Sequence, residues 1–74
     1  MFEERIDVKK IGELIRAARK AQKLSQEDLA AMSNTGRRVI SELENGKETV
    51  ELGKVLSILN NLGIGLKLVQ NWKG

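Results

Sequence analysis

The chain contains no cysteine and no histidine. Disulfides, thiolate nucleophiles, zinc fingers and imidazole catalysis are thereby excluded. Tyrosine is also missing, so Glu27, Asp28, Glu42 and Glu44 have no His, Cys or Tyr with which to share proton transfer. Gly63-Ile64-Gly65 lacks the remaining residues of a phosphate-cradling glycine motif. Proline is absent, which suits helices joined by tight turns. No apolar run approaches the ~20 residues of a membrane span, and no secretory leader pattern opens the chain. The expectation is a soluble, cytoplasmic, non-enzymatic protein with no metal and no cofactor. Charge, by contrast, is plentiful: thirteen Lys and Arg against ten Asp and Glu give +3. That excess is too small to name a partner by itself. Seventy-four residues make one domain, 1–74, with a small core.

Apolar spacing divides the chain into helices. Asp7 is a good N-cap, with Ile6 and Ile11 spaced as a hydrophobic staple across it. From Val8, Ile11, Leu14, Ile15 and Ala18 recur at helical spacing and predict a helix over Val8 to Gln22. Its second half carries Arg16, Arg19, Lys20 and Lys23 without an intervening acid. Arg16 and Lys20 read as a solvated face complementing the helix dipole. Arg19 and Lys23 fit that reading and a phosphate-facing flank equally. Late in the chain Val55, Leu56, Leu59 and Leu62 give a last helix starting at Val50 or Leu52. Gly53 weakens it by up to ~1 kcal/mol, which close packing would explain, and Gly63 ends it as a left-handed residue.

Between these lies the stretch Ser25 to Gly46, SQEDLAAMSNTGRRVISELENG. Ser25 caps a short helix, Gln26 to Met32, with Asp28 at the reciprocal position of a capping box and Leu24 and Leu29 bracketing it. A polar break, Ser33-Asn34-Thr35-Gly36, precedes a second helix, Arg37 to Leu43. Val39, Ile40 and Leu43 fall on one side of it, and Arg37, Arg38, Ser41 and Glu42 largely on the other. Asn45-Gly46 supplies a left-handed stop. Two short helices about a tight turn, the second opening on a basic face, form the pattern of a DNA-binding helix-turn-helix.

With Gln26, Glu27, Leu29, Ala30, Ile40, Ser41, Glu44, Asn45, Gly46 and Lys47 in place, the chain resembles the Cro/C1 (XRE) helix-turn-helix family over about Ile11 to Leu62. The segment Arg37-Arg38-x-x-Ser41-Glu42-Leu43-Glu44-Asn45-Gly46-Lys47, with the late Leu62 to Val69, is similar to the HipB-like antitoxin subgroup. The resemblance implies a mainly α, lambda-repressor-like domain of four to five helices over about 8–62. A C-terminal strand over about 64–69 would follow and pair with its twin across a homodimer. It further implies a sequence-specific repressor of palindromic operator DNA, the antitoxin of a type II module that binds a HipA-like toxin and represses its own operon. The alternatives are a stand-alone phage-type or metabolic repressor without a toxin, and an interaction module that has lost DNA reading. Ser33, Asn34, Thr35 and Gly36 depart from the family pattern. Asn34 still tolerates a left-handed turn and Gly36 is an acceptable N-cap, whereas Ser33 and Thr35 remove apolar packing and should loosen the joint.

The site residues follow from these placements. Gln26 and the helix end beside it would meet phosphate. Arg37 and Arg38 match groove-entering positions, where a guanidinium can present two donors to guanine O6 and N7. Two cations at a helix N-terminus are locally unfavourable, and a local rule broken at such a site favours function. Gly36 opens that helix, and Ser41 could reach a base or a phosphate. Glu42 could accept from cytosine N4, but pairing with Arg38 at i,i+4 is the favoured role. Asn45, Gly46 and Lys47 would hold phosphate through backbone N–H groups and the Lys47 ammonium. Glu44 reads as structural, paired with the first helix. Ile64, Leu66 and Leu68 alternate as the dimer face of the strand. Trp72 would cover that ribbon or meet a partner protein. Phe2 to Ile6 is too charged and short for a strand.

Overall fold

The structure, a computed structural model, describes residues 5–70 and 72. Among them, four helices follow in order: α1 Val8–Ala21, α2 Gln26–Met32, α3 Arg37–Glu44 and α4 Leu52–Asn61. Phe2 and the start of the arm lie outside the described residues.

The helix starts follow the side chains that cap them. The Asp7 carboxylate accepts from the Lys10 N–H at 2.8 Å and opens α1. At α2 the capping box is complete: Ser25 Oγ accepts from the Asp28 N–H, and Asp28 Oδ2 accepts from the Ser25 N–H, both at 2.9 Å. The Ser25 backbone donor first, then its side chain, hold the Asp28 carboxyl below the usual range. Leu29 is fully buried and Leu24 packs on the core, so the expected bracket is present there. The one expected across Asp7 is not. Ile11 packs on the core, but Ile6 stays 63% exposed. The last helix begins at Leu52, and Val50 packs on the core ahead of it.

All four helices stop in the same way. The residue after each C-cap is left-handed: Lys23 at φ 59°, Asn34 at 52°, Gly46 at 84° and Gly63 at 77°. The N–H one residue further reaches back to close a Schellman motif, Leu24 to Arg19 O, Thr35 to Ala30 O, Lys47 to Glu42 O and Ile64 to Leu59 O, at 2.9–3.0 Å. Asn34, Gly46 and Gly63 meet the sequence expectation. Lys23 does not, because a Cβ crowds the carbonyl in this conformation, at about 1–2 kcal/mol.

Helix α3 packs against both α1 and α2, and α2 also meets α4. Ile15, Leu29, Ile40, Leu43 and Ile58 are the largest fully buried side chains at their junction. Gly12 sets the approach of α1 to the end of α3. A Cβ built there would overlap the Leu43 carbonyl oxygen and lie 3.0 Å from that of Glu44. Gly53 shows the opposite: no atom lies within 4 Å of its would-be Cβ, so the expected close packing is absent. The first turn of α4 faces outward, with Leu52 68% exposed.

Two amide side chains fasten the end of α4. Gln22 Nε2 donates to Leu62 O at 2.8 Å, while Asn61 Nδ2 donates to Met32 O at 3.0 Å and Ser33 Oγ at 3.1 Å. Ser33 thus replaces apolar packing at the joint with a hydrogen bond. Thr35 does not, since its Oγ1 is buried without a partner among the described residues.

The expected C-terminal strand is not formed. Among the described residues, 64–70 carries no ladder, because a strand needs an edge to pair with and one copy of this chain supplies none. Ile64 closes the last Schellman motif and packs partly buried on its own core. Leu66, Leu68, Val69 and Trp72 are exposed.

Candidate nucleic-acid interface

Helix α3 has its orientation set by what it buries. Ile40, Leu43 and Glu44 face inward, which at 3.6 residues per turn directs Arg38, Ser41, Glu42 and Asn45 away from the core, while Arg37 is exposed because it lies at the very start of the helix. Arg37 and Arg38 are exposed at the first turn, and Ser41 is half-buried behind them. Gly36, the N-cap, is exposed and offers no side-chain acceptor to the first N–H groups. The turn before it is compact, since Asn34 and Thr35 both donate back to α2.

Behind this face lies a buried polar anchor. Arg19 from α1 grips Glu44 from α3 in a bidentate pair, Nε to Oε2 at 2.7 Å and Nη2 to Oε1 at 3.0 Å. Arg19 Nη1 also donates to Leu24 O at 2.8 Å, and Gln26 Nε2 donates to Glu44 Oε1 at 3.2 Å. The two ionised side chains retain only 10% and 3% exposure. Burial alone would push the Glu44 carboxyl up. Hydrogen bonds from Arg19 and Gln26, with the charges of Arg19 and Arg16, outweigh it and hold the group below its usual range. The hydrogen bond to Glu44 in turn raises Arg19, against the opposing effect of burial. Arg19 is therefore neither a solvated cation nor a phosphate-facing flank, and the pairing of Glu44 with the first helix is confirmed.

The same anchor modifies the expectation for Gln26. One of its amide hydrogens points inward to Glu44, so the side chain is oriented by α3 rather than free on the surface. At the far end of α3, the N–H groups of Asn45, Gly46 and Lys47 are all engaged by carbonyls of Ser41, Glu42 and Leu43. These N–H groups are therefore not open to a phosphate, contrary to the sequence expectation, and the polar groups this corner presents outward are the Lys47 ammonium and the exposed Asn45 side chain. Lys47 Nζ itself donates to Glu42 Oε2 at 2.9 Å, and Arg38 Nε lies 3.5 Å from that oxygen. The favoured i,i+4 pairing of Arg38 with Glu42 is thus present, with Lys47 as a second partner. Among the described residues no cluster of acidic groups is placed to hold a metal, and no helix is long and apolar enough to cross a membrane.

The structural roles of Gly12, Gln22, Lys23 and Asn61 were not evident from sequence. Gly12 carried a signal, a glycine inside a strongly periodic helix. The other three carried none, because their partners lie in distant elements or their conformation runs against residue preference.

Comparison with known proteins agrees with this geometry. A helix-turn-helix family model matches residues 15–69. The chain is 44% identical over 59 residues to an uncharacterized HTH-type transcriptional regulator, y4mF, of Sinorhizobium fredii (strain NBRC 101917 / NGR234), covering 80% of this chain and 78% of the relative. It is similar to the restriction-modification controller protein C.AhdI of Aeromonas hydrophila, with 34% identity and a TM-score of 0.71 over 78% of this chain and 88% of that one. It also superposes on a chain of a HipA-HipB-O2-O3 complex, with a TM-score of 0.82 over 96% of this chain and 100% of that one. At 20% identity that last likeness shows the fold alone.

Proposed function

The chain belongs to the helix-turn-helix family of DNA-binding transcriptional regulators, not to a family of enzymes, and from that premise we propose that it is a cytoplasmic, homodimeric repressor of palindromic double-stranded DNA. The observation that carries this reading is the outward first turn of α3. Arg37 and Arg38 stand exposed there, against the local dipole preference, on a helix anchored from behind by Arg19, Glu44 and Gln26. Arg37 and Arg38 read base edges in the major groove, with Ser41 beside them. Gln26, Gly36, Asn45 and Lys47 position the protein on the backbone. Leu66 and Leu68, continuing from Ile64, pair with the same residues of a second copy. The dimer then sets two α3 helices about 34–36 Å apart, one turn of DNA.

More narrowly, the protein acts as the antitoxin of a type II module, repressing its own operon and binding a HipA-like toxin. The resemblance of the α3 segment to HipB-like antitoxins and the superposition on the HipB complex support this. A second reading, a stand-alone regulator without a toxin, is favoured by the higher identity to the controller protein, 34% against 20%. The neighbouring gene separates the two, through co-purification of its product with this chain.

The direct test is binding to duplexes taken from the flanking palindrome, with a scrambled duplex as control. Arg37→Ala or Arg38→Ala is expected to cost about 1–3 kcal/mol on the palindrome and much less on the scrambled sequence. Full discrimination in both variants would move base reading elsewhere. Absence of binding by the intact chain would leave only an interaction module.

A further inference from the structure

The outer face of α3 carries one carboxylate among its cations, and that carboxylate is occupied. Glu42 Oε2 accepts from Lys47 Nζ at 2.9 Å and lies 3.5 Å from Arg38 Nε. One oxygen is thus shared by a cation from the first turn of α3 and another from just past its Schellman stop. The hydrogen bond from Lys47, foremost, outweighs the opposing effect of burial and, with the charges of Lys47 and Arg38, holds the Glu42 carboxyl below its usual range. At neutral pH it is fully ionised. Glu42 keeps 28% exposure and Arg38 89%, so the cluster is wet and contributes little to the fold. Its effect falls on whatever approaches the face from outside.

A carboxylate holding two cations already offers them what a phosphate would. To engage the DNA backbone, Lys47 must exchange Glu42 for phosphate, leaving a less screened negative charge beside the duplex. That cost is levied on every sequence alike, because phosphates carry no sequence information. Base contacts made by Arg37, which Glu42 does not hold, are not taxed. A device that lowers all backbone binding therefore widens the gap between right and wrong DNA, and specificity is that gap.

We propose that Glu42 is a specificity-determining residue of this regulator, which acts by withholding Lys47 from phosphate and so suppresses sequence-independent DNA binding. The inference rests on the DNA-binding reading above. It differs from a role in reading cytosine, since it assigns Glu42 no contact with a base.

The test compares the intact chain with Glu42→Gln on a short random-sequence duplex and on the flanking palindrome, between about 50 and 200 mM salt. Glu42→Gln should bind the random duplex about fivefold more tightly at the lower salt, the scale of an exposed ion pair. Its slope of log K against log salt should steepen by about 0.9 for each cation released to phosphate. Adding Lys47→Gln to Glu42→Gln should cancel most of that gain, and a gain that survives Lys47→Gln would be a general loss of negative charge and overturn the proposal. Unchanged random-duplex affinity and slope in Glu42→Gln would overturn the proposal. So would a loss confined to the palindrome, which would instead make Glu42 a base reader. If neither protein binds any duplex, the DNA-binding reading itself fails, and this inference with it.

Discussion

Glu44 shows how one residue can be decided by its surroundings rather than its type. An acid near a helix C-terminus opposes the dipole there, yet this one is buried and holds Arg19 and Gln26 together. Its carboxyl titrates below the ordinary value of 4.5 in the fold. The sign follows from linkage: a depressed folded pKa adds stability that is fully present above the unfolded value and lost as pH falls through the folded one. Thermal melts should therefore show a steep loss of stability below about pH 4.5. Glu44→Gln, which retains an acceptor, should lower the melting temperature at pH 7 and shallow that acid slope. The slope is not expected to vanish, since Asp28 and Glu42 are depressed too. Glu44→Ala leaves the Arg19 guanidinium buried and unpaired, a loss of about 3–5 kcal/mol. That is comparable with the whole stability of so small a domain. In sequence, Glu44 could be assigned to structure and to the first helix, but Arg19 remained ambiguous. The two are 25 residues apart, so nothing local names the acid that Arg19 meets.

Helix boundaries were the most legible level, because capping chemistry is local. Ser25 with Asp28, Asp7, Asn34, Gly46 and Gly63 each declare a start or a stop through their own side chain or lack of one. Lys23 escaped this reading because lysine has no preference for the left-handed conformation it adopts. Packing between helices was less legible, and the two glycines make the point from opposite sides. Gly12 and Gly53 look alike in a helical pattern, yet one meets a neighbouring backbone and the other meets open space. Gly12→Ala should destabilise the domain by about 1–3 kcal/mol or more, because the obstruction is backbone and not a flexible side chain. Gly53→Ala should stabilise it by up to about 1 kcal/mol, the propensity gain alone. Urea unfolding with an unchanged m-value distinguishes these effects from a change in the unfolded chain. Equal shifts in the two variants would contradict the packing of α1 on α3.

At the scale of the molecule, the segment after α4 carries apolar side chains that the described residues leave exposed. Leu66, Leu68, Val69 and Trp72 are 48%, 84%, 50% and 66% exposed, beyond a core that is complete by Leu62 with Ile64 against it. Sequence alternation predicted a strand in this segment, which the structure does not form; pairing is a property of two edges, and alternation reports only one of them. A chain ending at Gly65 keeps all four helices and the last Schellman motif. On the proposed dimeric reading the full chain should sediment as a dimer and the shortened chain as a monomer, which should lose about 100-fold or more in affinity for the palindrome through lost avidity. A full-length monomer at binding concentrations would remove the paired-tail arrangement. The division of labour along α3 has a wider consequence. Its inward residues, Ile40, Leu43 and Glu44, carry the fold, while the side chains of Arg37, Ser41 and Asn45 make no hydrogen bond among the described residues. The letters a regulator reads can therefore be rewritten without touching the frame that presents them. A lineage built on this scaffold is free to drift from one target sequence to another at almost no thermodynamic risk, and related regulators in one cell can become insulated from each other by a few outward substitutions.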